Sequence, residues 1–295
     1  MEILVNREPL NYSLETESSV GEVIDGLADW LKSGRFAITS LDVDETNYAI
    51  HDRETWAEIE IDSVRELSVE ALPLEEVDHA TIVALDEYCA LLGECLESRD
   101  PGPLAEIAEE LPYVQGRLGQ FFPSLRDEDG SVPILKDPAL TSGRLPEPGA
   151  AELIIAEIDS VRTLLASRER EYREPARELS ASLGQLSATA DALIEVPVQL
   201  QTGKKAAAMQ TIVRFTELLT RVVRLIPLAE SRQECESIDI EGARRFAEAT
   251  APHLVELKEA FEIQDTVLIG DLLEYELAPK LESLADLFPG SDTPG

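Results

Sequence analysis

Apolar residues recur at every second position near the start of the chain and at every third or fourth position from about residue 75 onward. Met1–Val5 alternates apolar and polar side chains, Asn6-Arg7-Glu8-Pro9 reads as a turn, and Leu10, Tyr12 and Leu14 resume the period of two. That pattern predicts a β-hairpin. Ser18 or Ser19 then opens a helix, with Glu22 three residues after Ser19 as in a capping box. Val20, Val23, Ile24, Leu27, Trp30 and Leu31 form its apolar stripe, and Gly34 is placed to stop it. Phe36–Asp44 returns to strand character, Asp62–Val64 reads as a short turn, and Leu67–Leu72 as a last strand. Trp30 and Trp56 are the two tryptophans, and both are expected in the core of this small module.

The second pattern predicts amphipathic helices packed side by side. Its stripes are Ile82, Leu85, Cys89, Leu92 and Leu96; Ile154, Ile158, Val161 and Leu165; Leu179, Leu183, Leu186, Ala190 and Leu193; and Ala208, Ile212, Phe215, Leu219, Val222 and Ile226. Polar turns within Leu96–Leu104, Leu200–Ala208 and Phe261–Ile269 each separate two such stripes, giving three helical hairpins in a bundle or short stack. Pro112, Pro197 and Pro279 fall inside helical patterns and are expected to kink or break them. The proline-rich stretch 123–149 is longer than an ordinary connection and is expected to be mobile, functional or both.

The predicted fold class is α+β: a module at 1–74, a helical domain at 75–290 carrying the proline-rich loop 123–149, and a disordered tail at 291–295. The element order β-β-α-β-loop-β of the first quarter resembles the ubiquitin-like β-grasp fold. That resemblance implies a compact sheet packed on one helix and says nothing of function. The module ends without Gly-Gly, so conjugation as a tag is not implied, and it has no cysteines to hold an iron–sulfur cluster. The helical remainder resembles uncharacterised bacterial helical proteins ending in a D-x-L-L-E-Y-E segment, on the stretch Asp265–Leu277 that includes Asp271, Glu274, Tyr275 and Glu276. No activity comes with that resemblance.

Charge narrows the partners. The formal net charge is −34, from 59 acidic against 25 basic side chains. The densest basic run, Arg162 to Arg177, is interleaved with Glu169, Glu171 and Glu174. Nucleic acid and anionic membrane surfaces are therefore not expected partners. Lysines number 6 of the 25 basic residues, a low-Lys, high-acid balance that suits either a salt-adapted host or plain solubility. The N-terminus has no basic region followed by a long apolar run, no stretch approaches a membrane span, and three cysteines lack metal spacing. The expected setting is the reducing cytoplasm.

A search for chemistry finds fragments. Glu76 and His79 make one E-x-x-H pair where a di-iron bundle needs two plus further glutamates. His253 and Glu256 are spaced in the reverse order, and His51 stands alone. Asp127-Glu128-Asp129-Gly130 lacks the distant glutamate of a calcium loop. Gly203-Lys204-Lys205 lacks the rest of a phosphate-binding loop and reads as an inter-helix turn. Cys89 sits on an apolar stripe, and Cys95 and Cys235 lie among glutamates, neither setting favouring a reactive thiolate. The expectation is a non-catalytic interaction protein without cofactor: an adaptor, assembly factor or chaperone-like partner of a protein with basic residues. A carboxylate-based, divalent-metal-dependent enzyme and a self-assembling scaffold are the alternatives. The partner-binding candidates are Asp271, Glu274, Tyr275 and Glu276, an acidic–aromatic cluster one turn before Pro279.

Overall fold

The computed structural model describes residues 1–11, 17–127, 132, 135–232 and 238–287. Tyr12, Leu14, Glu128-Asp129-Gly130, Cys235 and the tail at 291–295 lie outside the described residues. The fold is α+β, with a five-stranded sheet first and helices after it. The chain divides into two compact units, Met1–Ala166 and Ser167–Gly295.

The first unit opens with strands β1 (Glu2–Val5) and β2 (Glu8–Pro9). Their turn is Asn6-Arg7, both at positive φ (53° and 67°). The turn is thus shorter than the sequence predicts: Glu8 and Pro9 already pair with Val5 and Leu4. Two successive left-handed residues match the twist of a tight hairpin. The Asn6 side chain earns its place by extending the ladder, its Nδ2 donating to Ala71 O at 3.0 Å and its Oδ1 accepting from Ala71 N at 2.8 Å.

Helix α1 (Val20–Ser33) follows, and Ser19 Oγ accepts from Glu22 N at 3.4 Å as the capping pattern predicts. The return arm goes one residue further back, with Glu22 Oε2 accepting from Ser18 N at 2.6 Å. Gly21 is needed because a Cβ there would stand 2.9 Å from Ala57 O. Val20, Val23, Ile24, Leu27 and Leu31 are buried, but Trp30 is 55% exposed. The stripe is one position narrower than its spacing suggests, and the expected burial of Trp30 is wrong. At the helix end, Gly34 has an ordinary negative φ (−86°) and Arg35 takes the left-handed turn (φ 63°).

Strand β3 (Phe36–Val43) turns through Asp44-Glu45 into β4 (Thr46–Tyr48), a strand the sequence pattern did not reveal. Two single 3-10 turns, Arg53–Thr55 and Ile61–Ser63, lead to β5 (Glu66–Pro73). The sheet order is β2-β1-β5-β3-β4, with β1 and β5 parallel and the other neighbours antiparallel. Ile3, Leu41, Val43, Leu67 and Val69 face α1 and Trp56 in one core. Trp56 is closed in by Arg53, whose guanidinium lies 5.5 Å from the ring centre, and its Nε1 donates to Ala49 O at 3.2 Å.

Helix α2 (Leu74–Ser98) leaves β5 directly, held by Leu74 N donating to Arg35 O at 2.8 Å and by the Arg35–Glu75 ion pair. Arg99 (φ 55°) ends it, and α3 (Leu104–Phe121) runs back, completing the first expected hairpin. The described part of the proline-rich stretch is packed: Val132, Leu135, Leu140 and Pro146 are buried around the short α4 (Pro138–Thr141). Gln115 Nε2 donates to Leu135 O at 2.9 Å. Gly143 takes φ +66° where a Cβ would meet Ala105 Cα at 3.1 Å. Apolar anchors spaced between prolines hold the described part of this long connection. Helix α5 (Pro148–Arg173) begins here and joins Asp86 of α2 through Arg162 at 3.0 Å.

The second unit takes the end of α5 and adds α6 (Pro175–Ser187), α7 (Ala190–Gln201), α8 (Lys205–Ser231) and α9 (Ile240–Glu262). After α10 (Thr266–Asp271) comes a single π-helical turn, Leu272–Leu277, and then α11 (Ala278–Leu287). Helix α8 packs against α6, α7 and α9, and its stripe, with Phe215 at the centre, is buried throughout as predicted. The turns at 201–205 and 262–266 fall inside the predicted second and third hairpins. Pro112 and Pro197 lie inside α3 and α7 without ending them, as do Pro227 in α8 and Pro252 in α9.

Candidate functional site

The four residues singled out from sequence fall in the third hairpin of the second unit. Asp265 caps α10 by accepting from Val267 N (3.1 Å) and Leu268 N (3.0 Å). Ile269, Leu272, Leu273 and Leu277 go inward, which leaves Asp271, Tyr275 and Glu276 exposed and Glu274 half-buried. Tyr275 is 65% exposed, so its ring is not part of the core. The π turn is marked by Ala278 N donating to Leu273 O, five residues back. A proline ring in regular α geometry clashes with the carbonyl four residues earlier. For Pro279 that carbonyl belongs to Tyr275, which lies inside the π turn. Such turns recur at functional sites.

The four residues do not act as one cluster. The neighbouring Glu274 carboxylate, and then the charge of Asp271, raises the Tyr275 phenol pKa. Glu276 turns elsewhere, to Lys280 Nζ at 3.3 Å and His253 Nε2 at 3.7 Å. Lys280 Nζ also lies 3.1 Å from both His253 Nε2 and Glu276 O. The other nitrogen of that imidazole is Nδ1. That atom is buried and has no hydrogen-bond partner among the described residues. Sequence spacing shows the Glu276–Lys280 pair at i, i+4 but gives no sign of His253, which arrives from α9. Around the same hairpin Ile263 and Val267 are each 71% exposed.

A second polar group sits deeper in this unit. Glu171 is only 3% exposed and is ringed by Arg168 (3.3 Å), Arg221 (2.9 Å) and Arg224 (2.9 Å). Arg224 grips it with two parallel hydrogen bonds of 2.9 and 3.0 Å. Arg221 Nε is close but off the hydrogen-bond line, and the directed bond of Arg221 is from Nη2 to Glu178 Oε2 at 2.5 Å. Burial, and then the charge of Arg224, lowers the pKa of Arg168. This is the basic run that the sequence shows as interleaved with acids. The fold brings Arg221 and Arg224 from α8 to it, and these are separated in sequence by some fifty residues.

The remaining fragments stay apart. Among the described residues no three His, Cys, Asp or Glu side chains converge on a point that could hold a metal ion. Cys89 is buried and its thiol is pushed up to about 12 by that burial and then by Asp86. Burial, and then the charges of Asp100 and Glu94, raises the thiol pKa of Cys95, which is also buried. Lys204 and Lys205 stand exposed at the start of α8. No helix of the described residues is long and apolar enough to cross a membrane.

Comparison with known proteins adds family context without an activity. Residues 1–73 match the model described as the TP0873 N-terminal domain, which ends where β5 does. Residues 178–287 match a domain of unknown function (DUF8042) that takes in α8, the third hairpin and the π turn. An uncharacterised protein of Treponema pallidum (strain Nichols) is 33% identical over 112 residues, which are 37% of this chain and 54% of that protein. The chain thus spans about half the length of this relative. No solved structure matches it.

Proposed function

We propose that the protein is a non-catalytic interaction protein of the cytoplasm, an adaptor, assembly factor or chaperone-like component, whose third hairpin binds a protein partner carrying basic residues beside apolar anchors. One observation carries this reading: Tyr275, Ile263 and Val267 are exposed on a hairpin that also presents Asp271, Glu274 and Glu276. Exposed apolar groups rimmed by one sign of charge mark interaction surfaces. We further read residues 1–73 as a ubiquitin-like β-grasp module. The support is the order β2-β1-β5-β3-β4, the parallel central pair β1–β5 and the single helix on one face. The reading assigns no cofactor, no nucleic acid and no membrane to the protein.

The test is Tyr275→Ala combined with charge reversal at Asp271 and Glu274, compared with wild type in a crosslinking pull-down. Partner recovery should fall while the circular dichroism spectrum is unchanged. Equal recovery by a folded variant removes the site. Stoichiometric binding of Mg²⁺ or Mn²⁺ with a thermal shift would favour the metal-dependent enzyme, and a discrete oligomer by light scattering would favour the scaffold.

A further inference from the structure

The first unit contains a groove that its own side chains leave open. One face of the sheet is filled by α1 and Trp56. Helix α2 follows β5, packs against β3 and β5, and has α3 alongside it. Between them and the sheet is a cavity of about 370 Å³. Its α2 side carries Ala80 and Ala84, exposed and too small to fill it, with Leu85 buried beneath. Leu72, at the end of β5, forms one wall and is 44% exposed, and Tyr113 of α3 forms the other at 61%. Two large apolar groups thus face a space whose floor is methyl groups. A volume of this size lies within the range of roughly 300–1,000 Å³ that accepts a ligand or a pair of anchoring side chains.

Charge selects the occupant. Glu110 lies on the same wall one turn before Tyr113, is exposed, and makes no ion pair among the described residues. The neighbouring cation, Arg117, is committed elsewhere: Nη2 donates to Thr81 Oγ1 at 3.2 Å, Nη1 to Gln120 at 2.8 Å, and the guanidinium lies 5.4 Å from the Phe121 ring centre. A carboxylate and an aromatic face one helical turn apart suit a Lys or Arg side chain, which gains an ion pair from one and a cation–π contact from the other. Small residues at i and i+4 of α2 let the backbone of an incoming helix come close enough for its apolar side chains to reach Leu85. We infer that this groove docks a basic amphipathic helix of a partner protein, its apolar face between Leu72 and Tyr113 and a Lys or Arg against Glu110. The surface is separate from the third hairpin and does not depend on that reading.

The test uses the full chain, methyl-labelled for NMR, and a synthetic Leu/Lys amphipathic helical peptide as probe. A matched Leu/Glu peptide and 2-phenylethylamine serve as the other arms. The Leu/Lys peptide should shift the Leu72, Ala80 and Ala84 methyl signals saturably at 0.15 M salt, about one Debye length of 8 Å, where loose attraction to an acidic surface is screened. Ala84→Trp, which fills the groove, should abolish these shifts. Glu110→Lys should weaken the Leu/Lys peptide about tenfold and raise the affinity of the Leu/Glu peptide. Tyr275→Ala should change nothing, which separates this site from the third hairpin. Shifts spread over the acidic surface and indifferent to Glu110→Lys would overturn the inference. So would saturable binding of 2-phenylethylamine as tight as the peptide, which would make the groove a small-molecule site. If Ala84→Trp fails to fold, the charge swap at Glu110 still decides.

Discussion

In the sheet module the described ion pairs stay in contact with water: Arg53 and Asp25 are each more than half exposed, and Arg65 is 87% exposed beside Asp44. The core between them is apolar. In the second unit a carboxylate is taken almost wholly out of water and held by three guanidinium groups. The difference concerns what each region must specify. Strands fix their own register through the backbone ladder and the two-residue alternation of faces. A stripe of Leu and Ile on a helix tolerates sliding by a turn against its neighbour, because one apolar contact replaces another. Glu171 with Arg221 and Arg224 does not, since a slide would leave a buried charge unpaired. Glu171 and Glu178 with Arg221 and Arg224 are therefore expected to hold α5, α6 and α8 in one register.

Two substitutions of similar size separate these modes. Glu171→Ala should cost about 3–5 kcal/mol, because it strands buried guanidinium charge. Glu171→Gln, which keeps the shape, should recover little of the loss in urea unfolding. Trp56→Ala should also cost about 3–5 kcal/mol, here through the cavity it leaves, and Trp56→Phe should recover much of it. A cost under about 1 kcal/mol for Glu171→Ala would show a solvated cluster and dissolve the contrast. Asn6→Ala comes next, at roughly 1–3 kcal/mol, since both backbone groups of Ala71 lose their partner. Faster hydrogen exchange at Ala71 N–H would report it.

Smaller still is the surface pair. The hydrogen bonds from Arg53 hold the Asp25 carboxyl below the usual carboxylate range. Its stabilisation is therefore present above that range and is lost as pH falls through the lowered value. Asp25→Asn should cost less than about 1 kcal/mol at neutral pH and should flatten part of the acid limb of the stability profile. Trp30→Ala should fall within about 0.5 kcal/mol, as an exposed position does. A larger loss would mean that the indole is covered by something in solution.

Periodicity made most of the fold legible. The strands at 2–5, 36–43 and 66–73 and the four buried helical stripes follow from spacing alone. Three features escaped for physical reasons. Strand β4 is three residues long and polar, so no alternation marks it. Trp30 lies at the rim of a helical stripe, where spacing cannot tell the last buried position from the first exposed one. The Glu171 cluster joins residues far apart in sequence, which local patterns do not see. At the third hairpin, sequence located the exposed acidic and aromatic residues. It did not show that Glu276 turns toward His253 and Lys280 and away from Tyr275.

The π turn at 272–277 also bears on length. A bond from Ala278 to Leu273 encloses one more residue than an α turn, so this segment carries one residue more than an α turn of the same helix would. Leu272, Leu273 and Leu277 within it and Leu281 and Leu284 after it are all buried. Removing one exposed residue from the turn would restore ordinary spacing without rotating either flank away from the core. Insertions and deletions elsewhere in these helices would turn every later side chain by about 100°. Deleting one exposed residue within 272–277 is therefore expected to cost less in urea unfolding than deleting one from the middle of α9.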